Sequence, residues 1–356
     1  MVLSRNPFAT AYYHTNQRKL LICVAFAAFA VICVIIALFV GLYHISITHV
    51  LEILWDRITS NITDSKGDNY VINFRLPRAI GALVIGATLA VSGAVMQNAT
   101  NNPLAEPYTM GISSAALLGA TFSIALGLSI IPGVSNEYTT IVNAFIFALI
   151  PVAIILLISQ FRRLTAVGII LIGIALMYMF SSISQYIMVT SSAETLSDIY
   201  NWRVGTLGRL EDHYERLYVI MAICIPIMLI IFLCKKKLDM MYAGDRNAKT
   251  MGLDVKRFRV FTMALVSMAT AAVVSFTGTI GFVGLVGPHV ARAFVGSSNR
   301  YLIPCSAAFG ATFLILADTV AKISGPAGLP VGVISSAVGG PLFLYILIKY
   351  NKKVWH

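Results

Sequence analysis

Charge is what this sequence has least of. Only 15 of its 356 residues are acidic and 26 are lysine or arginine, so charged residues make up 12% of the chain. Soluble domains carry roughly 25%, and a surface that faces water on all sides is excluded. Cysteine is nearly as sparse. Cys23, Cys33, Cys224, Cys234 and Cys305 lie in or beside apolar runs and form no C-x-x-C pair. They read as small core residues, not as a disulfide framework or a thiolate metal site. The six histidines, His14, His44, His49, His213, His289 and His356, show no ligand spacing, so no metal site is expected. The chain also lacks a G-x-x-x-x-G-K-[ST] phosphate loop, an H-E-x-x-H helix and a G-x-S-x-G elbow. Nothing points to an enzyme, and any ATP hydrolysis belongs to another chain.

Long apolar runs are what is there. Hydrophobic residues make up 58%, in runs at about 20–43, 79–98, 108–131, 138–159, 165–189, 215–234, 258–278, 280–297, 303–323 and 332–348. About twenty apolar residues cross a bilayer as a helix, so ten spans are expected. The eighth is the weakest, being short and carrying His289 and Arg292. The first exceeds a signal-peptide core and lacks a clear cleavage site, so it reads as a retained helix. The net charge of +11 is scattered between the runs, which speaks for orientation in a membrane and against nucleic acid. With the N-terminus inside, 18 of the 26 basic residues fall on inner segments. Both termini are therefore expected in the cytoplasm.

Residues 75–111, RLPRAIGALVIGATLAVSGAVMQNATNNPLAEPYTMG, dominate the pattern. Small residues (Gly81, Gly86, Ala87, Ser92, Gly93, Ala94) stud the uncharged run and suit close helix packing in lipid. Arg75 and Arg78 open it, either as headgroup anchors or as a projecting cationic pair for carboxylates on a docking partner. Intramembrane acids, the usual mark of an ion relay, reduce to Asp318. Lys322 stands four residues on and offers it a local pair, so an ion-coupled carrier is disfavoured. An amphipathic piece within 44–74 and a short helix within 190–214 are expected outside. The inner segment 235–257, KKKLDMMYAGDRNAKTMGLDVKR, reads as two short helices broken at Gly244 and Gly252. Its apolar residues (Met240, Met241, Ala248, Met251, Leu253) suggest that a partner covers it.

RLPR…NPLAEP…MGISS, GD..A..MGLDVKR, TGTIGFVGLVGPHVAR and LPVGVISSAVGGPLFLYIL together resemble the FecCD-type permease family over about residues 20–350. That resemblance implies an all-α polytopic membrane protein, one permease domain with the fold of type II ABC importers and about ten transmembrane helices. The implied partners are two ABC ATPase subunits holding ATP and Mg, an extracytoplasmic substrate-binding protein, a second permease subunit and the bilayer. No cofactor is expected on this chain, and the implied place is the cytoplasmic membrane of a prokaryote. The implied cargo is an iron(III)–siderophore-type chelate, with haem or cobalamin as alternatives. An ion-coupled secondary transporter is the alternative of another class.

Carried over by position, Arg75, Arg78 and Lys322 would dock the binding protein. Asn102, Leu104 and Thr165 would form the inner gate. Gly244, Asp245, Ala248, Met251, Gly252 and Leu253 would couple to the ATPase. Ser181, Ser182, Ser184, Gln185, Ser335 and Ser336 would line the pathway, although packing explains any single serine equally well.

Overall fold

The computed structural model describes residues 7–41, 45–59, 66–134, 136–161, 166–325 and 328–350. Helices account for nearly all of it. They begin with α1 (Pro7–Phe39), α2 (Ile47–Thr59) and α3 (Lys66–Asn69), which runs through a π-helical turn (Tyr70–Arg75) into α4 (Leu76–Thr100). Then come α5 (Ile112–Leu126), α6 (Asn136–Phe161), α7 (Ala166–Thr190), α8 (Ala193–Arg203) and α9 (Tyr214–Leu233). The chain continues through α10 (Lys235–Tyr242), α11 (Asp245–Thr250), α12 (Val255–Thr277), α13 (Val283–Val295), α14 (Asn299–Ile323) and α15 (Val331–Tyr350).

Each expected run has its helix, but two differ in length. Among the described residues eight helices are long and apolar enough to cross a membrane, whereas α5 and α13 have 15 and 13 residues. At about 1.5 Å per residue they reach only about 20 Å, short of the roughly 30 Å hydrocarbon core. Left-handed residues set their limits: Gly111 and Gly127 bound α5, and Phe282 begins α13 at φ 68°. Irregular backbone at membrane depth survives only where protein covers it: Gly111 lies against Gly173 and Met177 of α7 and Phe282 against Gly339 of α15, whereas Gly127 is exposed. The extended segment 204–206 hydrogen-bonds to Thr277, Thr279 and Gly332.

Burial ranks the helices. Within its most apolar stretch α4 is 89% buried, against 22% for α7 and 17% for α15. The small residues of α4 account for this. Gly86 seats against the Gly310 backbone of α14, and Gly93 against the Gly284 carbonyl of α13. The helix is a spine inside the bundle, as its composition suggests. The apolar faces of α7 and α15, with Leu171, Tyr178 and Leu344 among their exposed residues, are left to lipid or a second subunit.

Segment 235–257 forms the two expected short helices, α10 and α11, parted at Gly244 with φ 95°. A turn through Gly252 leads into α12, whose Arg257 amide donates to the capping Asp254 side chain. The two outer pieces expected in 44–74 and 190–214 are α2 and α8, the latter capped by Ser192.

Candidate functional site

At one end of α4 sit the arginines of the RLPR motif, and they do not project. Arg75 is only 2% exposed. It donates Nη1 hydrogen bonds to the carbonyls of Leu38 (2.8 Å) and Phe39 (3.3 Å) at the end of α1, and it stacks over Tyr70. Arg78 is committed on three nitrogens. Nε donates to both Asp318 oxygens (2.9 and 3.0 Å), Nη2 lies 2.8 Å from Oδ1, and Nη1 donates to Glu211 at 2.7 Å. The local pair expected between Asp318 and Lys322 is present at 3.3 Å, but it shares its acid with Arg78. Burial explains the arrangement: a guanidinium withdrawn from water needs an opposite charge in place. A cavity of about 400 Å³ opens beside the cluster, lined by Arg75, Arg78, Glu211, Lys322 and Tyr70.

The other end of α4 meets segment 235–257, where coupling to an ATPase was expected. Arg259 of α12 donates Nε to the Ala99 carbonyl and Nη2 to Asp245 of α11, both at 2.6 Å. Asp239 of α10 accepts the Asn299 backbone amide (2.7 Å) and side-chain amide (2.8 Å) at the start of α14, and Asn299 in turn accepts from Asn98 of α4. Ala248, Met241 and Leu238 are fully buried against the chain itself, so only part of the apolar face is left for a partner: Met251 is 57% exposed and Leu253 partly so. Gly244 and Gly252 hold positive φ with open space around them.

Between these ends, the turn after α4 places Leu104 at the surface, 48% exposed, and Asn102 Oδ1 accepts its amide at 2.9 Å. Asn102 thus shapes the turn that presents Leu104. Thr165 lies outside the described residues. The six pathway positions divide. Ser181 and Ser336 line a cavity of about 530 Å³ with Ser113, Ser114, Thr279 and Gly281, while Ser182 and Gln185 lie on the exposed face of α7. Ser184 and Ser335 are both buried, and their hydroxyls donate to the Phe180 and Gly332 carbonyls.

Sequence reading passed over Glu106. It sits in the same turn, its carboxylate beside Gly284 of α13, and burial pushes its carboxyl up to about 7. A carboxyl raised in the folded state favours folding below its unfolded value near 4.5, and that advantage disappears as pH climbs through about 7. Thermal stability is expected to fall between about pH 5 and about pH 8 by on the order of 3 kcal/mol, and Glu106→Gln to flatten the profile. Melting curves of both proteins in detergent check this.

A family model described as the FecCD transport family matches residues 29–349. The chain is 40% identical to an ABC transporter permease protein of Methanocaldococcus jannaschii, over 90% of this chain and 92% of that protein. It is 31% identical to the molybdate import system permease of Haemophilus influenzae, over 90% and 94%. Among solved structures, an inward-facing conformation of a metal-chelate type ABC transporter superposes with TM-score 0.78 at 26% identity, covering 93% of this chain and 99% of that one.

Proposed function

The chain belongs to the FecCD transport family of ABC importer permeases, and from that premise we propose that it carries an iron(III)–siderophore-type chelate inward. The pathway runs along the interface with a second permease subunit, as one transmembrane permease domain spanning residues 1–356. Two separate ABC ATPases bind ATP and Mg and supply the energy, and this chain has no ATPase site of its own. An extracytoplasmic binding protein delivers the cargo at the Arg75–Arg78–Lys322 end. Both termini face the cytoplasm of a prokaryotic cell.

One observation carries the reading. The helix pair α4 and α14 bears the basic cavity at one end and at the other is hydrogen-bonded to α10 through Asn299 and joined to α11 by way of Arg259 of α12. A membrane protein worked from both faces needs such a connection, since rocking helices must join a docking site to a motor. The cavity that Ser113, Ser114, Ser181, Thr279 and Ser336 line together with apolar side chains offers a polar chelate mostly weak contacts, with Arg203 the one charged group on its wall. An ion-coupled carrier would need an accessible acid in the membrane, and Asp318 is instead held by Arg78 and Lys322.

The similarity to a metal-chelate transporter favours a chelate, with haem and cobalamin as the other candidates of that size. The molybdate permease shows that the fold also serves a small oxyanion. Copurification of the tagged protein from native membranes, followed by ATP hydrolysis in nanodiscs, tests the assembly. Recovery of an ATPase and a binding protein whose absorbance reports bound iron chelate is the expected result. Haem or corrin absorbance would reassign the cargo, and molybdenum without chromophore would end the chelate reading.

A further inference from the structure

Arg78 meets its two acids in different ways. Asp318 grips Nε and Nη2 from a side chain only 2% exposed, on the helix packed most closely against α4. Glu211 touches Nη1 alone, and its side chain is 29% exposed at the mouth of the cavity. The turn that carries Glu211 is held independently of that carboxylate. Leu207 and Leu210 are fully buried, Leu210 fills the space over Gly81, and the Asp212 amide donates to the Asn73 carbonyl. Glu211 can therefore swing away without unseating its turn. Charge also remains over. The cavity wall carries Arg75, Arg78 and Lys322 against Glu211 alone, with Asp318 behind it shared between Arg78 and Lys322.

We propose that Glu211 is a displaceable internal ligand of Arg78, replaced on Nη1 by a carboxylate of the binding protein during docking while Asp318 keeps the guanidinium oriented. The inference rests on the docking role argued above. Between encounters a buried guanidinium lacking an acceptor would be costly, and Glu211 removes that penalty. Docking then exchanges one ion pair for another. Its net gain is small, so the binding protein holds its position in a fixed orientation yet leaves readily. Asp318 acts as a positioning residue and Glu211 sets affinity by competition.

Binding of the substrate-binding protein that copurifies with the tagged permease, measured on the importer in nanodiscs, tests the exchange. Glu211→Gln keeps the shape but gives Arg78 a weaker, uncharged acceptor. It is expected to tighten the Kd about five- to tenfold, and Glu211→Asp, one methylene short of Nη1, to act in the same direction. Asp318→Asn is expected to weaken binding at least about tenfold, and the Glu211 variants to lower the melting temperature of the free permease only slightly, because Asp318 still holds Arg78. An unchanged or weaker Kd in both Glu211 variants, with Arg78→Lys weakened, overturns the exchange and leaves the docking role standing. A wild-type Kd in Arg78→Lys and Asp318→Asn together removes the docking role and the exchange with it.

Discussion

Gly93→Val is expected to abolish recovery of folded protein, and Gly93→Ala to reduce it sharply. A Cβ at Gly93 would overlap the Gly284 carbonyl and come within 2.9 Å of its Cα. Those are backbone atoms of α13, not the far end of a side chain that could turn aside. Nor can α4 retreat, because seven residues earlier Gly86 is seated against the Gly310 backbone of α14. In lipid, separated helices expose no apolar surface to water, so close van der Waals contact carries the association. Overpacking a core ordinarily costs about 1–3 kcal/mol, and a clash between two backbones belongs above that range. Fluorescence-detected size exclusion of detergent extracts is the measurement. Gly127→Ala supplies the control: its site is left-handed at φ 62° with nothing within 4 Å. That variant should fold with a loss of about 1 kcal/mol. A monodisperse Gly93→Val peak at wild-type yield would mean that α4 and α13 do not cross where the structure places them.

The same stretch shows what a sequence can and cannot disclose. Apolar run length and small residues are local properties, and they announced α4 as a packed spine before any contact was known. The limits of α5 and α13 were hidden because apolar composition continues past the point where Gly111, Gly127 and Phe282 turn the backbone. At the RLPR motif the charges were plain but their partners were not. Asp318 lies 240 positions from Arg78 and Glu211 lies 133, so only the folded chain brings them together. The Asp318–Lys322 pair was legible because a helix sets that spacing. Among the serines, one residue of helical phase, about 100°, decides whether a hydroxyl meets the cavity or its own backbone. Ser336 and Ser335 fall on opposite sides of that choice. Arg259 drew no attention among the inner basic residues, although the sequence held a clue to it in Pro103.

That clue supports the second large effect, expected for Arg259→Met. In a continuing helix the Ala99 carbonyl would accept the amide of residue 103, but residue 103 is proline and has none. The chain has already left the helix at Asn101, which takes a left-handed φ of 45°. Arg259 Nε fills the vacancy at 2.6 Å and sets a positive charge against the negative end of the α4 dipole. Its other arm holds Asp245 of α11 at 2.6 Å, so one side chain joins α12, the end of α4 and the coupling segment. Methionine keeps the bulk and removes both bonds. A buried carbonyl left without a donor costs about 1–3 kcal/mol, so the melting temperature should drop. Released from its tether, α11 should transmit less, and ATP turnover stimulated by the binding protein should fall about tenfold, equivalent to about 1.4 kcal/mol of lost coupling. Asp245→Asn separates the two roles, since it leaves the Ala99 cap in place. It is expected to lower stimulated turnover at nearly wild-type melting temperature. Arg259→Lys retains charge without the planar fork and can serve only one acceptor at a time, which places it between wild type and methionine in both measurements. Wild-type values for Arg259→Met in both would show that α11 is held to the bundle by the buried Ala248 and its neighbours alone.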